Sequence, residues 1–308
     1  KVPGLGGGGV ANDDFQLDAS LTALLAEQLN WPTEPVLGDA LVVWSFGDKS
    51  YAPIFRRWAS RLANVTLPRP LLFATDDEAE TARKAAGIGG MRVSAHGGLW
   101  GLKARLLEVF ARLGRAQLFV ELDVFVQRSP LDWFKALGRD LAAEPVDVYM
   151  TTHVFTRKVN FGLLLAKPSS LPLWRGLRRA WRRPENRRGP GYQDQNILDS
   201  LLGNVEHFGF APPVQGVRYE RLPPSLFAEI EWHHWCFDRQ GMVDGMRAYG
   251  MSSDAVLRAT IEDPRNVYTF HMTTLGLDQK LRKLTRMYER AEKGLTACDM
   301  RQACLEGT

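Results

Sequence analysis

Between Ala40 and Val126 short, almost wholly apolar runs alternate with longer segments whose apolar residues recur at helical spacing. That alternation restricts the chain to an α/β layer around a mostly parallel sheet. The pattern predicts strands over 41–44, 71–74, 91–93 and 118–120. It predicts helices over 52–62, from Glu78 through Ala86, and over 102–113, the last with apolar residues at Leu102, Leu106, Leu107, Val109, Phe110 and Leu113. The second half is less regular: strands near 146–150 and 162–166, helices near 173–183 and 195–202, and an aromatic-rich stretch from Phe227 to Phe237. Ahead of the alternation, Lys1 to Asp14 reads as a Gly-rich flexible lead-in, and Leu17 to Leu29 as a helix that Asp18 or Ser20 caps. The glycines between Gly4 and Gly9 do not make a dinucleotide fingerprint, because no strand precedes them.

A chain of 308 residues with 45% apolar content can bury a substantial core. Its longest apolar runs fall far short of the roughly 20 residues that cross a bilayer, so the chain as given is expected to be soluble. It begins with Lys1 rather than Met, which fits a shortened chain that has lost a membrane anchor. Asn64-Val65-Thr66 is an N-glycosylation sequon, usable only in a secretory compartment. Cys236, Cys298 and Cys304 make neither a disulfide framework nor a zinc spacing, though one bridge, most simply Cys298 to Cys304, can form. The formal charge of +4 hides a concentration of arginines over residues 175–188, interleaved with Trp174 and Trp181. That run reads either as a solvated helix face or as a surface for an anionic partner or membrane headgroups. No nucleic-acid-binding module is visible.

In open parallel sheets, ligands sit outside the carboxyl ends of the strands. Three of those ends carry polar residues: Ser45 with Asp48, Asp76 with Asp77, and Glu121 with Asp123. The last pair stands inside apolar surroundings, Leu118-Phe119-Val120-Glu121-Leu122-Asp123-Val124-Phe125-Val126. Carboxylates there need compensation, from a divalent cation carrying a diphosphate or from Arg or Lys.

A Lys-bearing helix with Lys103, a strand, acid-x-Asp, an apolar triplet and Arg128-x-Pro130 follow in order. This arrangement resembles the nucleotide-diphospho-sugar transferases of glycosyltransferase family 77, and more distantly the glycogenin-type family. The resemblance runs from Val42 to about Lys283. It takes in Val42-Val43-Trp44-Ser45 with Tyr51, Phe73 to Glu78, the Asn160-Phe161-Gly162 strand, Asp194-Gln195, Leu222 to Phe227, and His271 followed by Gly276 and Lys280.

The resemblance implies a GT-A fold, an α/β architecture with a mostly parallel central sheet and flanking helices. Residues 1–30 would be lead-in and N-terminal helix. Residues 31–308 would form one domain, with a nucleotide-binding half over about 40–126 and a sugar and acceptor half over about 127–285. It implies a metal-dependent, retaining transfer from a UDP-sugar in the secretory lumen or Golgi, by the lumenal domain of a type II membrane protein. Asp123 and His271 would hold Mn2+ or Mg2+, with Glu121 as a further ligand; the family usually has Asp at that position, and the extra methylene leaves Glu121 either on the metal, linked to it by water, on ribose, or structural. The donor would be bound by Ser45, Tyr51, Asp76, Lys103, Glu121, Asp123, Gly276 and Lys280, and the transferred sugar by Asn160, Asp194 and Gln195. Either Asp194 forms a covalent glycosyl-enzyme, or the acceptor hydroxyl attacks on the face the nucleotide leaves, which is the expected route.

Trp232-His233-His234-Trp235 is the most unusual local cluster. Aromatic side chains stack on sugars, so Trp232, His233 and Trp235 are assigned to a glycan or glycoprotein acceptor, with core packing as the competing role. Three rival functions remain open, one of them a membrane or polyanion binder acting through Arg175 to Arg188, with salt-sensitive binding independent of manganese. A sugar nucleotidyltransferase would carry a Gly-rich loop after its first strand, where this chain has the single Gly47. A carbohydrate-binding protein with a degenerate site would lack catalysis.

Overall fold

The computed structural model describes residues 19–24, 27, 41–95, 98–152, 158–183, 193–204, 211–223, 226–229, 267–272 and 276–295. In chain order the strands are β1 (Leu41–Gly47), β2 (Leu71–Ala74), β3 (Ala116–Val120), β4 (Val124–Val126), β5 (Val148–Thr152), β6 (Val159–Ala166), β7 (Tyr219–Arg221), β8 (Phe227–Glu229) and β9 (Thr269–His271). The helices are α1 (Phe55–Asn64), α2 (Asp77–Ala85), α3 (Gly98–Arg112), α4 (Pro130–Ala136), α5 (Leu171–Trp181), α6 (Gln193–Leu201) and α7 (Leu277–Glu292).

Six strands form the central sheet in the order β2-β1-β3-β6-β5-β7. Parallel pairing holds for β1 with β2 and β3 and for β5 with β7, while β6 runs antiparallel to both of its neighbours. Successive residues of β1 alternate between two cores: Val43 joins Leu72, Leu118 and Leu163 on one face, and Val42 and Trp44 join Phe73, Phe119 and Leu164 on the other. Both faces are covered, which is why these strands read as continuous apolar runs rather than as polar-apolar alternation. On the second face Trp44 packs against Phe119 at a centroid distance of 4.6 Å, and its indole N–H donates to Gln117 at 3.1 Å. The α/β class and the flanking helices expected from the sequence are those observed.

Three local expectations need correction. Residues 91–93 do not form a strand; residues 89–93 run beside β2 through isolated bridges, because Gly90 takes a left-handed φ of 128° that interrupts extended pairing. The helix expected from Ala52 starts at Phe55, since Pro53 has no N–H and lies in a 3-10 turn over Lys49–Ile54, opened by Asp48 accepting from the Ser50 amide at 2.9 Å. Strand β1 also runs on to Gly47, so Ser45 is an interior strand residue and fully buried. Of the segment expected to be helical over 17–29, residues 19–24 are helical. The Gly-rich lead-in and the Trp232–Trp235 cluster lie outside the described residues.

A second sheet of three strands, β4-β9-β8, stands beside the end of β3. It is tied to α1 by Arg61, whose guanidinium donates to the carbonyls of Val126, at 2.7 Å, and Gln127.

The close approach at Gly90 yields a test. A Cβ there would lie 2.1 Å from the Leu72 carbonyl oxygen, on top of the strained φ. Gly90→Ala is expected to lower stability by at least about 2 kcal/mol in urea denaturation; an unchanged midpoint would contradict this account of the β2 edge.

Candidate active site

Glu121-Leu122-Asp123 is the turn that joins the two sheets. The Glu121 amide donates to Gly162 O at 2.8 Å, fixing the turn to β6, and the Val124 amide closes it onto Glu121 O at 3.0 Å. Leu122 goes into the core, while Glu121 and Asp123 face the crevice. Room for Leu122 comes from Gly47, where a Cβ would sit 2.4 Å from Leu122 Cδ1. The single glycine of the β1 turn is therefore explained by packing under the acidic turn.

The two carboxylates meet His271, delivered by β9, which pairs with β4 so that Val124 stands opposite His271. His271 Nε2 lies 3.3 Å from both Glu121 Oε2 and Asp123 Oδ1. Lys103 Nζ reaches Glu121 Oε1 at 2.5 Å, and Lys280 Nζ reaches Asp123 Oδ2 at 2.6 Å. Burial pushes the Glu121 carboxyl upward, but Lys103 and His271 outweigh it and hold the group well below the ordinary carboxylate range. Asp123 follows the same pattern, with His271 and Lys280 overcoming both burial and the repulsion of Glu121. Burial pushes His271 down, yet the two carboxylates prevail and its pKa is pushed up to about 10. Burial, with Asp123, Glu121 and Asp48 nearby, raises the Tyr51 phenol above its ordinary value, so it remains a neutral hydroxyl beside the cluster.

Lys103 is only 1% exposed. Its ammonium stands 4.5 Å from the ring centres of Trp100 and Phe161 and 5.0 Å from that of Phe119. Aromatic faces and the Glu121 carboxylate take the place of water around the ammonium.

A bulge in β6 shapes the floor of the site. Met150 of β5 pairs with Leu164, but Thr151 pairs with Asn160, so Phe161, Gly162 and Leu163 form an insertion on the β5 side. Asn160 Oδ1 accepts from the Gly162 amide at 2.7 Å, and the Thr151 hydroxyl lies 3.2 Å from Asn160 O and 3.4 Å from Leu163 O. The bulge brings Gly162 against the imidazole: a Cβ would be 2.1 Å from His271 Cε1 and 2.4 Å from Nδ1. A glycine is needed here because a side chain would occupy the place of the ring.

The sequence-predicted residues divide accordingly. Tyr51, Lys103, Glu121, Asp123, His271 and Lys280 converge, and Gly276 caps α7 one turn before Lys280. Asn160 is buried and turned onto the backbone of the bulge. Asp76 caps α2, accepting from Ala79 N at 2.7 Å and from Lys49 N at 2.9 Å, which ties the β1 turn to the end of β2. Its carboxyl is held below the ordinary range by the Ala79 amide first. The buried Ser45 hydroxyl has no hydrogen-bond partner among the described residues. Asp194 and Gln195 lie in α6, but the side chain of Asp194 is outside the described residues, as are Trp232, His233 and Trp235.

Two residues escaped the sequence reading. Gly162 was visible only as part of Asn160-Phe161-Gly162, and nothing local indicates the imidazole above it. Tyr288 of α7 is buried, and burial raises its phenol, with Arg61 opposing and the Asp123 charge adding to the rise; helical spacing marks it simply as a core residue.

Residues 75–284 match the model of the nucleotide-diphospho-sugar transferase family. The chain belongs to that family. Its chemistry is accordingly the transfer of a sugar from a nucleotide-diphospho-sugar. No curated protein sequence matches the transferase significantly. Among solved structures it is similar to a glycosyltransferase involved in glycosylating the major capsid of PBCV-1, at 12% identity over 78% of this chain and 96% of that one, with a TM-score of 0.42. It is also similar to the galactosyltransferase LgtC, at 13% identity over 78% and 94% with a TM-score of 0.45, and to mouse xyloside xylosyltransferase 1, at 9% over 76% and 98% with a TM-score of 0.42.

The His271 pKa makes a testable statement. Because it is raised above the unfolded value near 6.5, its stabilisation is fully present below that pH and is lost as pH rises through about 10. In metal-free transferase, imidazole 15N shifts should show one histidine still protonated at pH 8. Gly162→Ala should push the ring off the carboxylates, cost about 1–3 kcal/mol and return that histidine to ordinary titration. An unchanged titration in the variant would contradict the packing argument.

Proposed function

We propose that this transferase uses a UDP-sugar and a divalent cation, and that it belongs to the family-77 type. The observation that carries the metal reading is the meeting of Glu121, Asp123 and His271 ligand atoms within 4.8 Å of one another. Two carboxylate oxygens and one imidazole nitrogen are a donor set suited to Mn2+, and oxygen-rich enough for Mg2+. The buried Nδ1 of His271 has no hydrogen-bond partner among the described residues, which is consistent with an imidazole placed to ligate a cation. Charge supports the same reading: with His271 neutral, Lys103 and Lys280 cancel Glu121 and Asp123, and one dication then matches the two negative charges of a nucleotide-sugar diphosphate. When bound, such a cation supplies Lewis-acid stabilisation of the departing diphosphate.

The residues would act as follows. Asp123 and His271 hold the cation. Glu121, drawn toward Lys103, is the weaker ligand. Lys280 sits where its ammonium can turn from Asp123 to a phosphate oxygen, adding charge stabilisation as the leaving group forms. Tyr51 offers a neutral hydroxyl at the same place. The acceptor oxygen bonds to the anomeric carbon on the face from which UDP departs, the carbon–phosphate-oxygen bond breaks with its electron pair going to UDP, and the acceptor proton passes to a donor phosphate oxygen. Configuration is thereby retained. The competing route, a covalent glycosyl-enzyme on Asp194, would show as a sugar trapped on that residue by mass spectrometry. The transferred sugar is proposed to be arabinose, galactose or xylose, and the acceptor a glycan or a hydroxyproline/serine-rich glycoprotein in the Golgi lumen. No helix of the described residues is long and apolar enough to cross a membrane.

The lysine pairs favour a second reading, in which Lys280 and protonated His271 bind the diphosphate without a cation. UDP release from a panel of UDP-sugars separates the two. With Mn2+ present, Asp123→Ala is expected to lose at least about 100-fold and Glu121→Ala about 10-fold. Chelation should abolish release. Undiminished turnover in EDTA would select the second reading, and absence of both UDP binding and release would sink the enzymatic one.

A further inference from the structure

We infer that Trp100 is a stacking platform for a sugar ring at the mouth of this site, an assignment that rests on the proposed use of a UDP-sugar. Trp100 lies in the first turn of α3 and is 38% exposed, in the same class as Leu137, Leu277 and Leu295 among the large apolar side chains. A single exposed apolar residue needs no explanation by itself. Trp100 differs in what lies against it. Its ring stands 4.5 Å from the Lys103 ammonium, and that ammonium is bonded to Glu121 at 2.5 Å. Two contacts thus connect an accessible indole to the carboxylate of the proposed metal group.

The buried Lys103 ammonium lies over one face of the indole, while the residue as a whole keeps 38% of its surface open to solvent. Cation–π attraction orients the ring, so a partner on its open surface meets a flat apolar plane already held in place. Sugar rings suit such a plane. One face of many pyranoses and furanoses presents carbon-bound hydrogens, while their hydroxyls project sideways toward water and hydrogen-bonding groups. Burying that face on an indole removes apolar area from water and gains dispersion contact without desolvating the hydroxyls. A diphosphate or a uracil ring would be held elsewhere, the first by Lys280 and the cation. The sugar on the platform is either the donor's own or that of the acceptor; stacking chemistry is common to both.

Calorimetry and saturation-transfer NMR on the full chain separate these sources. The probes are UDP, UDP-galactose, UDP-arabinose and UDP-xylose with Mn2+ in one arm, and the methyl glycosides of the same sugars added to UDP-loaded protein in the other. Two variants separate stacking from mere cover: Trp100→Phe keeps an aromatic plane, and Trp100→Leu keeps an apolar lid over Lys103 without one. Stacking predicts that Trp100→Leu weakens sugar binding by roughly 3- to 10-fold, leaves UDP affinity unchanged, and is largely rescued by Trp100→Phe. Loss confined to the UDP-sugars places the donor sugar on the ring, and loss confined to the methyl glycosides places the acceptor there. If UDP and the sugars bind wild type and both variants alike, or if UDP and UDP-sugar affinity fall together in Trp100→Leu, the platform is wrong although the transferase reading stands. Failure of wild type to bind UDP overturns the underlying reading and the platform with it.

Discussion

Two carboxylates at the end of a buried strand must be compensated in charge, and the crevice is organised around how that is done. Glu121 takes Lys103, Asp123 takes Lys280, and His271 stands between them. These partners come from α3, from α7 and from β9, so the compensation also joins three otherwise separate elements. Isolated, any one of these charges would be costly to bury. Together they form a network in which removing one member leaves another uncompensated, and the penalty falls on the survivor.

The surrounding backbone serves that network. The bulge of β6 presents Gly162 to the imidazole, the turn between β3 and β4 is fixed to Gly162 by one amide, and Gly47 leaves room for Leu122 beneath. Asp76 adds a brace at a distance, holding the β1 turn to the start of α2. The rigidity of the site therefore comes from backbone and small residues, and its charge from long side chains laid over them.

Much of the central layer was legible because its strands are covered on both sides and so appear as unbroken apolar runs between amphipathic helices. Asp123 and His271 were legible as a pair only through a family-like order of motifs, since 148 positions separate them and no local pattern links them. Periodicity located Lys103 on a helix but could not say whether its flexible chain points to a phosphate or, as found, to Glu121. The bulge was not legible at all, because register is set between strands and leaves no mark on either one alone. The strand expected at residues 91–93 fails at Gly90: apolar composition fits extended structure, while the positive φ that interrupts it and the close approach to Leu72 leave no periodic mark in the sequence.

The small sheet of β4, β9 and β8 has a consequence for how the protein is made. During synthesis the acidic turn emerges about 150 residues before His271 and Lys280, and vectorial folding lets earlier segments organise first. At that stage Lys103 has already been made, whereas the two partners of Asp123, His271 and Lys280, have not. Closing so long a loop costs entropy that is recovered only when β9 docks on β4 and α7 lays Lys280 across the crevice. The charge cluster is thus completed only after β9 and α7 have been made, and a polypeptide ended before them can have a formed α/β layer with the acidic turn still uncompensated at Asp123.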